Sequence, residues 1–539
     1  MGEDGLRRIA ILLPLAIAVF LRLYPTILSG YPFSTDAWPI LGNTEILSKL
    51  TPVDLRDDTL FDGYNSYWPA STLYSVVLSR ILGLDVFDTV RIGVPLSSAL
   101  SIPIFYILVR IITGDWGLAF IASLILASSY PYSILTAGVT KETYANPIYI
   151  LLILLYIYRF RNMYSRIVLF ILSSIALALS HHLTSIVYLS IVSSIAISEL
   201  YDYILWGYTS FEKLSYTIIY AIVLWLYFWL YAYRGLRVTV AIEDIASVAS
   251  YQILALIPAL YLSSRPIISS RRGVFALSLA AMAMVILAAY IPTARQVLED
   301  LPKLPVYYML YATPFMLASQ MAILGFEYGR GYGWHRILAL WISSILGLEA
   351  YSIFGGSSIG SILAYRLINF VWPPLSILVA SGLCLAYRSM GGRGFRIVFA
   401  RVMLAIYTAI LLSSSIHDYY ASIWLKERYM GYFWLYKGYE YRSIRYIASS
   451  IDSGLVLCDV KMGYLASMYM GLDVDVLRGL RYLLGLSKVK PGILVVYSDM
   501  LSVGYVLYGG CSVYLGETVY DRLGYLDLVY SNPEAWIYV

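Results

Sequence analysis

The sequence predicts a mainly α protein, a polytopic bundle of transmembrane helices with a small α/β domain at its C-terminal end. Of its 539 residues, 60% are hydrophobic and 13% are charged, and the mean hydropathy is +0.72. Soluble chains contain roughly 45–50% apolar and about 25% charged residues. From about residue 417 the sequence becomes richer in charges and tyrosine. We therefore expect a membrane domain over 1–416 and an α/β domain over 417–539.

Apolar segments of about 20 residues can cross the hydrocarbon core of a bilayer as helices. The segment Ser71–Leu84 is also apolar, but it is short and lies near Pro69 and Gly83, so we expect an interfacial helix there. Thirteen segments are predicted to cross: 9–24, 90–112, 117–136, 146–160, 167–180, 186–205, 215–233, 246–263, 274–291, 305–325, 337–354, 367–387 and 397–415.

The distribution of arginine predicts the orientation, because cytoplasmic loops carry an excess of Lys and Arg. With the N-terminus in the cytoplasm, the arginines of 159–166, 265–272, 330–336 and 388–396 lie inside. The acidic first loop, 25–89, then lies outside, together with the C-terminal domain. The cell membrane is the expected location.

Short β-like runs in the C-terminal part alternate with helical pattern, which is typical of a small α/β domain. Ser531–Glu534 has the composition of a hairpin turn. Cys458 and Cys511 allow two interpretations, a disulfide if the domain is outside or two separate buried thiols. The strand-like runs are Leu455–Asp459, Ile493–Tyr497, Cys511–Leu515 and Ala535–Val539.

The motifs of nucleotide-binding loops, dinucleotide folds, zinc proteases and serine hydrolases are absent from the sequence. The Lys and Arg residues are scattered, so nucleic acid is not an expected partner. Membrane lipids are expected partners.

Asp36 is the first candidate for chemistry. It follows the first span by about a dozen residues and is flanked by Tyr31, Phe33 and Trp38, aromatic residues expected at the level of lipid headgroups. A carboxylate can take the proton of an attacking hydroxyl or hold a divalent metal ion. A solvated acid beyond a helix end is the alternative.

Lys141 and Glu142 lie in a short loop predicted on the same side of the membrane as Asp36. Glu142 can supply a second carboxylate, and Lys141 can compensate phosphate charge. An interfacial ion pair between the two residues is the alternative. Glu299 and Asp300 belong to another outer loop and are weaker candidates.

His181 and His182 are adjacent imidazoles in apolar surroundings, where polar groups are costly unless they face protein or water. Neighbouring residues of a helix point about 100° apart, so both rings do not suit one metal ion. Hydrogen bonding to a substrate in a polar cavity and capping of a helix hairpin are both consistent with them.

Arg366 enters an apolar span beside Tyr365 and near Asn369. A guanidinium is permanently charged and binds phosphate in a bidentate manner, which suits a polyprenyl phosphate. Snorkelling to lipid phosphate is the alternative. Pro373 and Pro374 are expected to break this helix.

Together these features resemble the GT-C superfamily of membrane glycosyltransferases, with a layout similar to the oligosaccharyltransferase catalytic subunit and the protein O-mannosyltransferases. Trp68–Tyr74 and Thr140–Tyr144 are similar in arrangement to parts of the first two outer loops of that subunit. The resemblance implies that Asp36 is the catalytic acid of the first loop and that Glu142 stands near the acidic motif of the second. Lys141 departs from the two-acid pattern of that motif. If the reaction depends on a divalent metal, Mg²⁺ or Mn²⁺, Asp36 and Glu142 would hold it.

The expected function is inverting transfer of a sugar from a polyprenyl-phosphate or dolichyl-phosphate donor to an extracytoplasmic acceptor. Asp36 and Glu142 are the predicted catalytic residues. The Trp-Trp-Asp acceptor motif is missing, and Phe433–Tyr436 does not replace it, so a single sugar is expected rather than a whole glycan. A transporter or lipid flippase is the alternative function, and a structural subunit is another. Residues predicted to bind substrate are Trp38, Lys141, His181, His182, Tyr365 and Arg366.

Overall fold

The structure is a computed structural model. It describes residues 10–50, 61, 63–158, 160–207, 211–235, 242–264, 271–296, 303–329, 333–356, 360–391, 394–451, 454–487 and 492–539. The acid-rich stretch 54–58, Asp62, and the candidate acids Glu299 and Asp300 lie outside these residues.

Helices dominate the described chain, as predicted. The α-helices are α1 Leu12–Ser29, α2 Ala37–Lys49, α3 Ala70–Leu82, α4 Val86–Asp88, α5 Val94–Ala99, α6 Ser101–Thr113, α7 Trp116–Ser128, α8 Tyr130–Ala137, α9 Lys141–Ile157, α10 Met163–Ser180, α11 His182–Trp206, α12 Glu212–Leu230, α13 Ile242–Ser264, α14 Arg271–Ala294, α15 Thr313–Gly329, α16 Trp334–Phe354, α17 Gly360–Ser389, α18 Phe395–Tyr420, α19 Gly438–Ser450, α20 Val460–Gly463, α21 Val476–Leu483, α22 Ser498–Ser502 and α23 Thr518–Leu523. Short 3₁₀ and π turns connect several of them.

The helices confirm a multi-pass membrane protein. Within the described residues, eleven continuous helical segments are long and apolar enough to cross a bilayer, or twelve if α7 and α8 form one bent span. Three of these segments, Val86–Thr113, Val306–Gly329 and Phe395–Leu425, join an α-helix to neighbouring helical elements. The predicted span 146–160 corresponds to α9, which has 17 residues and is not among them. The helix α3 has 13 residues, too few to cross, as predicted.

The chain divides into two compact units. The helical unit contains Met1–Leu21, Ser97–Leu135 and Ala145–Asp418, and the mixed unit contains Arg22–Leu96, Thr136–Tyr144 and Tyr419–Val539. Three separate parts of the sequence therefore build the mixed unit. Each of its first two parts is a connection that begins and ends in the helical unit.

Within the helical unit, α7 and α8 are separated by a bend of 60° at Ser129. Pro131 explains the break, because proline has no amide N–H and clashes with the preceding turn of a continuing helix. The Tyr130 amide instead donates to the hydroxyl of Ser415 at 2.7 Å. In contrast, α17 continues through Pro373 and Pro374, so the predicted break there is wrong. Neighbouring helices can compensate for prolines in a buried span.

A small mixed sheet forms the core of the C-terminal part, as the alternating pattern predicted. Strand β2 is buried along its whole length and is the central strand of the order β1-β2-β6-β5. It pairs parallel to β1 and antiparallel to β6. The strands are β1 Val456–Leu457, β2 Ile493–Tyr497, β3 Tyr505–Val506, β4 Ser512–Val513, β5 Leu528–Asn532 and β6 Ala535–Tyr538, of which β3 and β4 form a separate two-stranded sheet.

The predicted hairpin turn near the C-terminus joins β5 and β6. Its geometry is fixed by Asn532, whose side-chain oxygen accepts hydrogen bonds from the amides of Glu534 at 3.2 Å and Ala535 at 2.8 Å. Asparagine is favoured in turns because its side chain can bond to the backbone two residues further on.

A buried network of charges lies beside the ends of β1 and β2. Lys461 and Glu440 are 0% and 1% exposed and form an ion pair at 2.5 Å. Asp459 accepts hydrogen bonds from the Met462 amide at 3.0 Å and the Tyr497 hydroxyl at 2.5 Å. Burial raises the pKa of Asp459 to about 6, although these hydrogen bonds and the charge of Lys461 lower it.

Asp459 should make the stability of the mixed unit depend on pH. An unfolded aspartate has a pKa of about 3.9, so the folded state holds its proton more tightly. The resulting stabilisation is complete below about pH 4 and is lost as the pH rises through about 6, by ~3 kcal/mol. Urea unfolding of the full chain in detergent should therefore show a smaller loss of free energy between pH 4 and pH 7 in Asp459→Asn than in wild type. An identical loss in both proteins would contradict this assignment.

Candidate functional site

The loop Tyr31–Asp36, here named the Asp36 loop, is held from two sides by backbone hydrogen bonds. The carbonyl oxygen of Phe33 accepts from the amide of Val139 at 2.8 Å, and the amide of Ser34 donates to the carbonyl oxygen of Trp434 at 2.9 Å. The ring of Phe33 also meets the ring of Trp434 edge-on, with centroids 5.9 Å apart. All three parts of the mixed unit therefore meet at this loop.

The backbone of the Asp36 loop is strained. Ser34 has a φ of +92°, a region that non-glycine residues rarely occupy. Such conformations cost about 1–3 kcal/mol and are concentrated at functional sites. The Ser34 hydroxyl accepts the amide of Asp36 at 3.3 Å.

Asp36 is half-buried between buried neighbours and stands immediately before α2. An aspartate at this position commonly accepts a hydrogen bond from an amide of the first helical turn. The carboxylate of Asp36 makes no such capping bond, so the helix does not account for the presence of an acid here.

Trp38 fixes the beginning of α2. Its indole is 0% exposed and contacts the rings of Tyr436, Tyr441 and Tyr469 at centroid distances of 5.0, 6.0 and 5.4 Å. Tyr469 in addition donates to the Glu45 carboxylate at 2.9 Å. Trp38 and Phe33, also buried, thus lie inside the protein. The prediction that they lie at the lipid headgroups is wrong, because the C-terminal part of the chain covers them.

Lys141 and Glu142 begin α9 and belong to the mixed unit with Asp36. The hydroxyl of Thr140 caps this helix by accepting the Thr143 amide at 3.0 Å. Lys141 is 9% exposed and Glu142 is 5% exposed, so both charges are buried. A buried acid in the first turn is favoured by the positive end of the helix dipole.

The ammonium group of Lys141 lies against aromatic rings. Its Nζ is 3.6 Å from the ring centroid of Tyr64 and 5.5 Å from that of Trp68. Cation–π contacts of this kind contribute up to about 2 kcal/mol when they are desolvated. These contacts stabilise the positive charge of Lys141 beside Tyr64 and Trp68, two residues of the segment between α2 and α3.

The other predicted substrate residues belong to the helical unit. His181 is buried, and its Nδ1 lies 2.8 Å from the Thr184 hydroxyl at the start of α11, in the capping position considered above. Its ring lies 5.0 Å from that of His182. Arg366 donates through Nε to the Tyr365 hydroxyl at 3.1 Å, and both side chains are half-buried.

A metal ion has only a small set of ligands here. Among the residues that the structure describes, no group of three or more His, Cys, Asp or Glu gathers as a metal site. Mg²⁺ prefers six oxygen ligands and commonly takes one or two carboxylates from the protein and the remainder from water and phosphate. The pair Asp36 and Glu142 would need such additional ligands.

Sequence reasoning missed the residues that hold the Asp36 loop. Ser34, Val139 and Trp434 contribute through their backbone, which leaves no side-chain pattern in the sequence. Tyr64 lies in an aromatic stretch whose partner, Lys141, is far away in sequence. The aromatic run Phe433–Tyr436 was the available signal.

Comparison with protein-family models gives no match, and comparison with curated proteins gives none either. Among solved structures, the chain is similar to ArnT from Cupriavidus metallidurans in the apo state, with 12% identity, a TM-score of 0.39, and coverage of 100% of this chain and 98% of that chain. The same protein bound to undecaprenyl phosphate gives 12% identity, a TM-score of 0.37, and coverage of 98% and 97%.

The strain at Ser34 can be tested with two substitutions that remove the same hydroxyl. Alanine normally makes a protein more stable than glycine by about 0.4–1 kcal/mol, because glycine has more freedom when unfolded. At a positive φ the order should reverse, since glycine adopts this conformation readily. We expect Ser34→Gly to be about 1 kcal/mol more stable than Ser34→Ala in urea unfolding. A more stable Ser34→Ala would show that this backbone conformation is not adopted.

Proposed function

We propose that this chain is a GT-C-like membrane glycosyltransferase with Asp36 as its catalytic base. The proposed reaction moves one sugar from a polyprenyl-phosphate or dolichyl-phosphate donor to an extracytoplasmic acceptor, with inversion. The observation that supports the proposal is the conformation of the Asp36 loop. Its backbone is strained, it is bonded on both sides, and its carboxylate is not used to cap the adjoining helix.

A rigid loop of this kind suits general base catalysis. A base must stay within hydrogen-bond reach of the proton that it removes, and positioning of the reacting groups supplies much of the rate. The two backbone bonds at Phe33 and Ser34 restrict the loop from opposite sides. The buried side chain of Trp38 restricts the movement of α2, the helix that follows Asp36.

In the proposed step, Asp36 takes the proton from an acceptor hydroxyl. The acceptor oxygen attacks the anomeric carbon from the face opposite the phosphate, and the bond from that carbon to the phosphate oxygen breaks. The electron pair leaves with the polyprenyl phosphate, and the proton stays on Asp36. Inversion follows from a single displacement.

Charge develops on the leaving phosphate and has to be stabilised. Lys141 is our first candidate, because its buried ammonium belongs to the same unit as Asp36. Arg366 is proposed to bind the donor phosphate within the helical unit, with Tyr365 beside it. His181 and His182 are proposed to orient donor or acceptor.

A divalent ion, if bound, would be held by Asp36 and Glu142 and would neutralise phosphate charge. The small set of protein ligands described above is consistent with a site that only the donor phosphate completes. The reaction proposed here uses the protein groups alone. Addition of a chelator tests whether an ion is needed.

Transfer of radiolabel from native polyprenyl-phosphate sugars, in reconstituted vesicles, tests the proposal. Loss of a general base typically lowers the rate by about 10²–10⁴-fold, so Asp36→Asn should lose at least about 100-fold. Asp521→Asn, an exposed acid on α23, is the control and should transfer at the wild-type rate. Each protein is assayed with and without chelator. Transfer by Asp36→Asn at the wild-type rate would refute Asp36 as the base, and Glu142→Gln would be examined next.

A lipid flippase is the second candidate, and the bend between α7 and α8 favours it. Discontinuous helices are typical of transporters, in which they build a site at the middle of the membrane. A flippase would move a fluorescent polyprenyl phosphate between the leaflets of the same vesicles without forming a product. If the protein is a glycosyltransferase, it should form product with an externally added donor, whether or not lipid moves between the leaflets.

A further inference from the structure

The helix α19 presents a basic and aromatic face to solvent. Arg442 and Arg445 are exposed, and Tyr439 and Tyr446 are half-exposed. These residues are spaced by three or four positions, so they lie on neighbouring parts of one helix surface. The single acid of α19, Glu440, is buried and paired with Lys461. The exposed surface of this helix therefore carries only positive charge.

The two arginines are not neutralised by neighbouring acids. Among the described residues, neither Arg442 nor Arg445 takes part in an ion pair. Arg442 instead donates through Nε to the Gly438 carbonyl at 3.1 Å, and its guanidinium carbon lies 5.1 Å from the ring centroid of Tyr439. Two like charges placed side by side are favourable when they share an anionic ligand.

Gly438, at the beginning of α19, brings a guanidinium and a phenol to the same place. The point where a Cβ atom of Gly438 would stand is 3.5 Å from Nη2 of Arg442 and 3.6 Å from the hydroxyl oxygen of Tyr31. Two hydrogen-bond donors therefore lie on the same side of Gly438. A carboxylate, whose oxygens only accept hydrogen bonds, suits two such donors.

These two donors adjoin the Asp36 loop. The ring of Tyr441 contacts Tyr31 at a centroid distance of 5.1 Å and stacks on Trp38 at 6.0 Å. Tyr31 and Trp38 lie on either side of Asp36 in the sequence. Burial raises the pKa of Tyr31, and the charges of Arg442 and Arg445 oppose that rise, so both guanidinium groups act on the first residue of the loop.

Aromatic surface continues from the arginines toward β5. Tyr446 stacks on Tyr530 with ring centroids 4.5 Å apart. The side-chain amide of Asn532 donates to the carbonyl of Tyr439 at 3.0 Å and to the hydroxyl of Tyr530 at 3.4 Å, which fixes this arrangement. Tyrosine offers an apolar ring together with a polar hydroxyl, a combination that suits the C–H face and the hydroxyls of a sugar ring.

We propose that Arg442, Arg445, Tyr31 and Tyr439 bind the acceptor, and that the acceptor is a saccharide bearing carboxylate groups. The arginines bind a carboxylate, and the tyrosines pack against the sugar rings. The role as acceptor site rests on the proposed function. The binding of an acidic saccharide does not, and it can be measured without a donor.

Binding of tetragalacturonate to the full chain in nanodiscs of neutral lipid, measured by calorimetry, tests the proposal. We expect wild type to bind tetragalacturonate with an affinity that falls with added salt, and to bind neutral maltotetraose at least tenfold more weakly. The double variant R442Q/R445Q should lose at least tenfold in affinity for tetragalacturonate. Arg478→Gln, an exposed arginine on α21, is the matched control and should bind as wild type.

A second variant avoids any loss of charge. In Gly438→Ala the new methyl group meets its neighbours at ordinary contact distance, so the fold should persist while an apolar group stands between Arg442 and Tyr31. We expect this variant also to lose affinity for tetragalacturonate.

Undiminished binding by R442Q/R445Q would overturn the proposal. Equal or tighter binding of tetraglutamate would also overturn it. Binding of Arg442 and Arg445 to vesicles of anionic lipid in place of tetragalacturonate would overturn it as well. Transfer that depends on Asp36 without any binding of tetragalacturonate would refute this inference and leave the proposed function standing. Binding of tetragalacturonate that depends on Arg442, in a protein that transfers no sugar, would refute the proposed function and leave this inference standing.

Discussion

Two backbone hydrogen bonds on adjacent residues hold the Asp36 loop in place, and the rest of the mixed unit is built around them. The carbonyl of Phe33 is bonded to Val139, and the amide of Ser34 is bonded to Trp434. Backbone groups buried without partners are costly, so these bonds are maintained as long as the unit is folded. They also provide the constraint that keeps Ser34 at an unfavourable φ. The strain of the loop is therefore balanced by contacts from two distant parts of the chain.

The C-terminal domain accordingly has a structural role in the candidate site. Tyr436 touches Trp38 at one edge, and its hydroxyl donates to the carbonyl of Lys461 at 2.6 Å. Lys461 in turn pairs with Glu440 inside the domain. A continuous set of contacts thus joins the buried charge network to the helix that follows Asp36. Damage to this network would be expected to affect the geometry of the loop as well as the stability of the domain.

Much of the fold could be predicted from the sequence, because apolar length and the pattern of strands are local signals. Strand β2 was predicted with the bounds that it has, and the turn at Asn532 was recognised from its composition. The short strands β3 and β5 were missed, since two residues leave no pattern in β3 and β5 is largely exposed. The grouping of the candidate site residues agrees with the structure only in part. Asp36, Lys141 and Glu142 were grouped on the basis of membrane side, and they do belong to one unit.

The remainder of the site could not be derived in this way, because it depends on backbone pairing and on contacts between distant segments. Nothing in the residue type of Trp434 indicates that its carbonyl holds Ser34. Trp38 was expected at the lipid surface because tryptophan is common there, and only the tertiary fold shows that three tyrosines cover it. The basic face of α19 could likewise not be recognised from the sequence, because its proposed role depends on the proximity of Tyr31.

Amide hydrogen exchange of the Asp36 loop is the measurement that tests most directly whether the C-terminal domain holds this loop. The full chain in detergent should be labelled, and the exchange of the Ser34 amide should be compared with that of strand β2, Ile493–Tyr497. Because the Ser34 amide is bonded to Trp434 within the folded unit, we predict that it exchanges as slowly as the amides of β2. Exchange of Ser34 at the rate of an exposed loop, while β2 remains protected, would contradict a rigidly held Asp36.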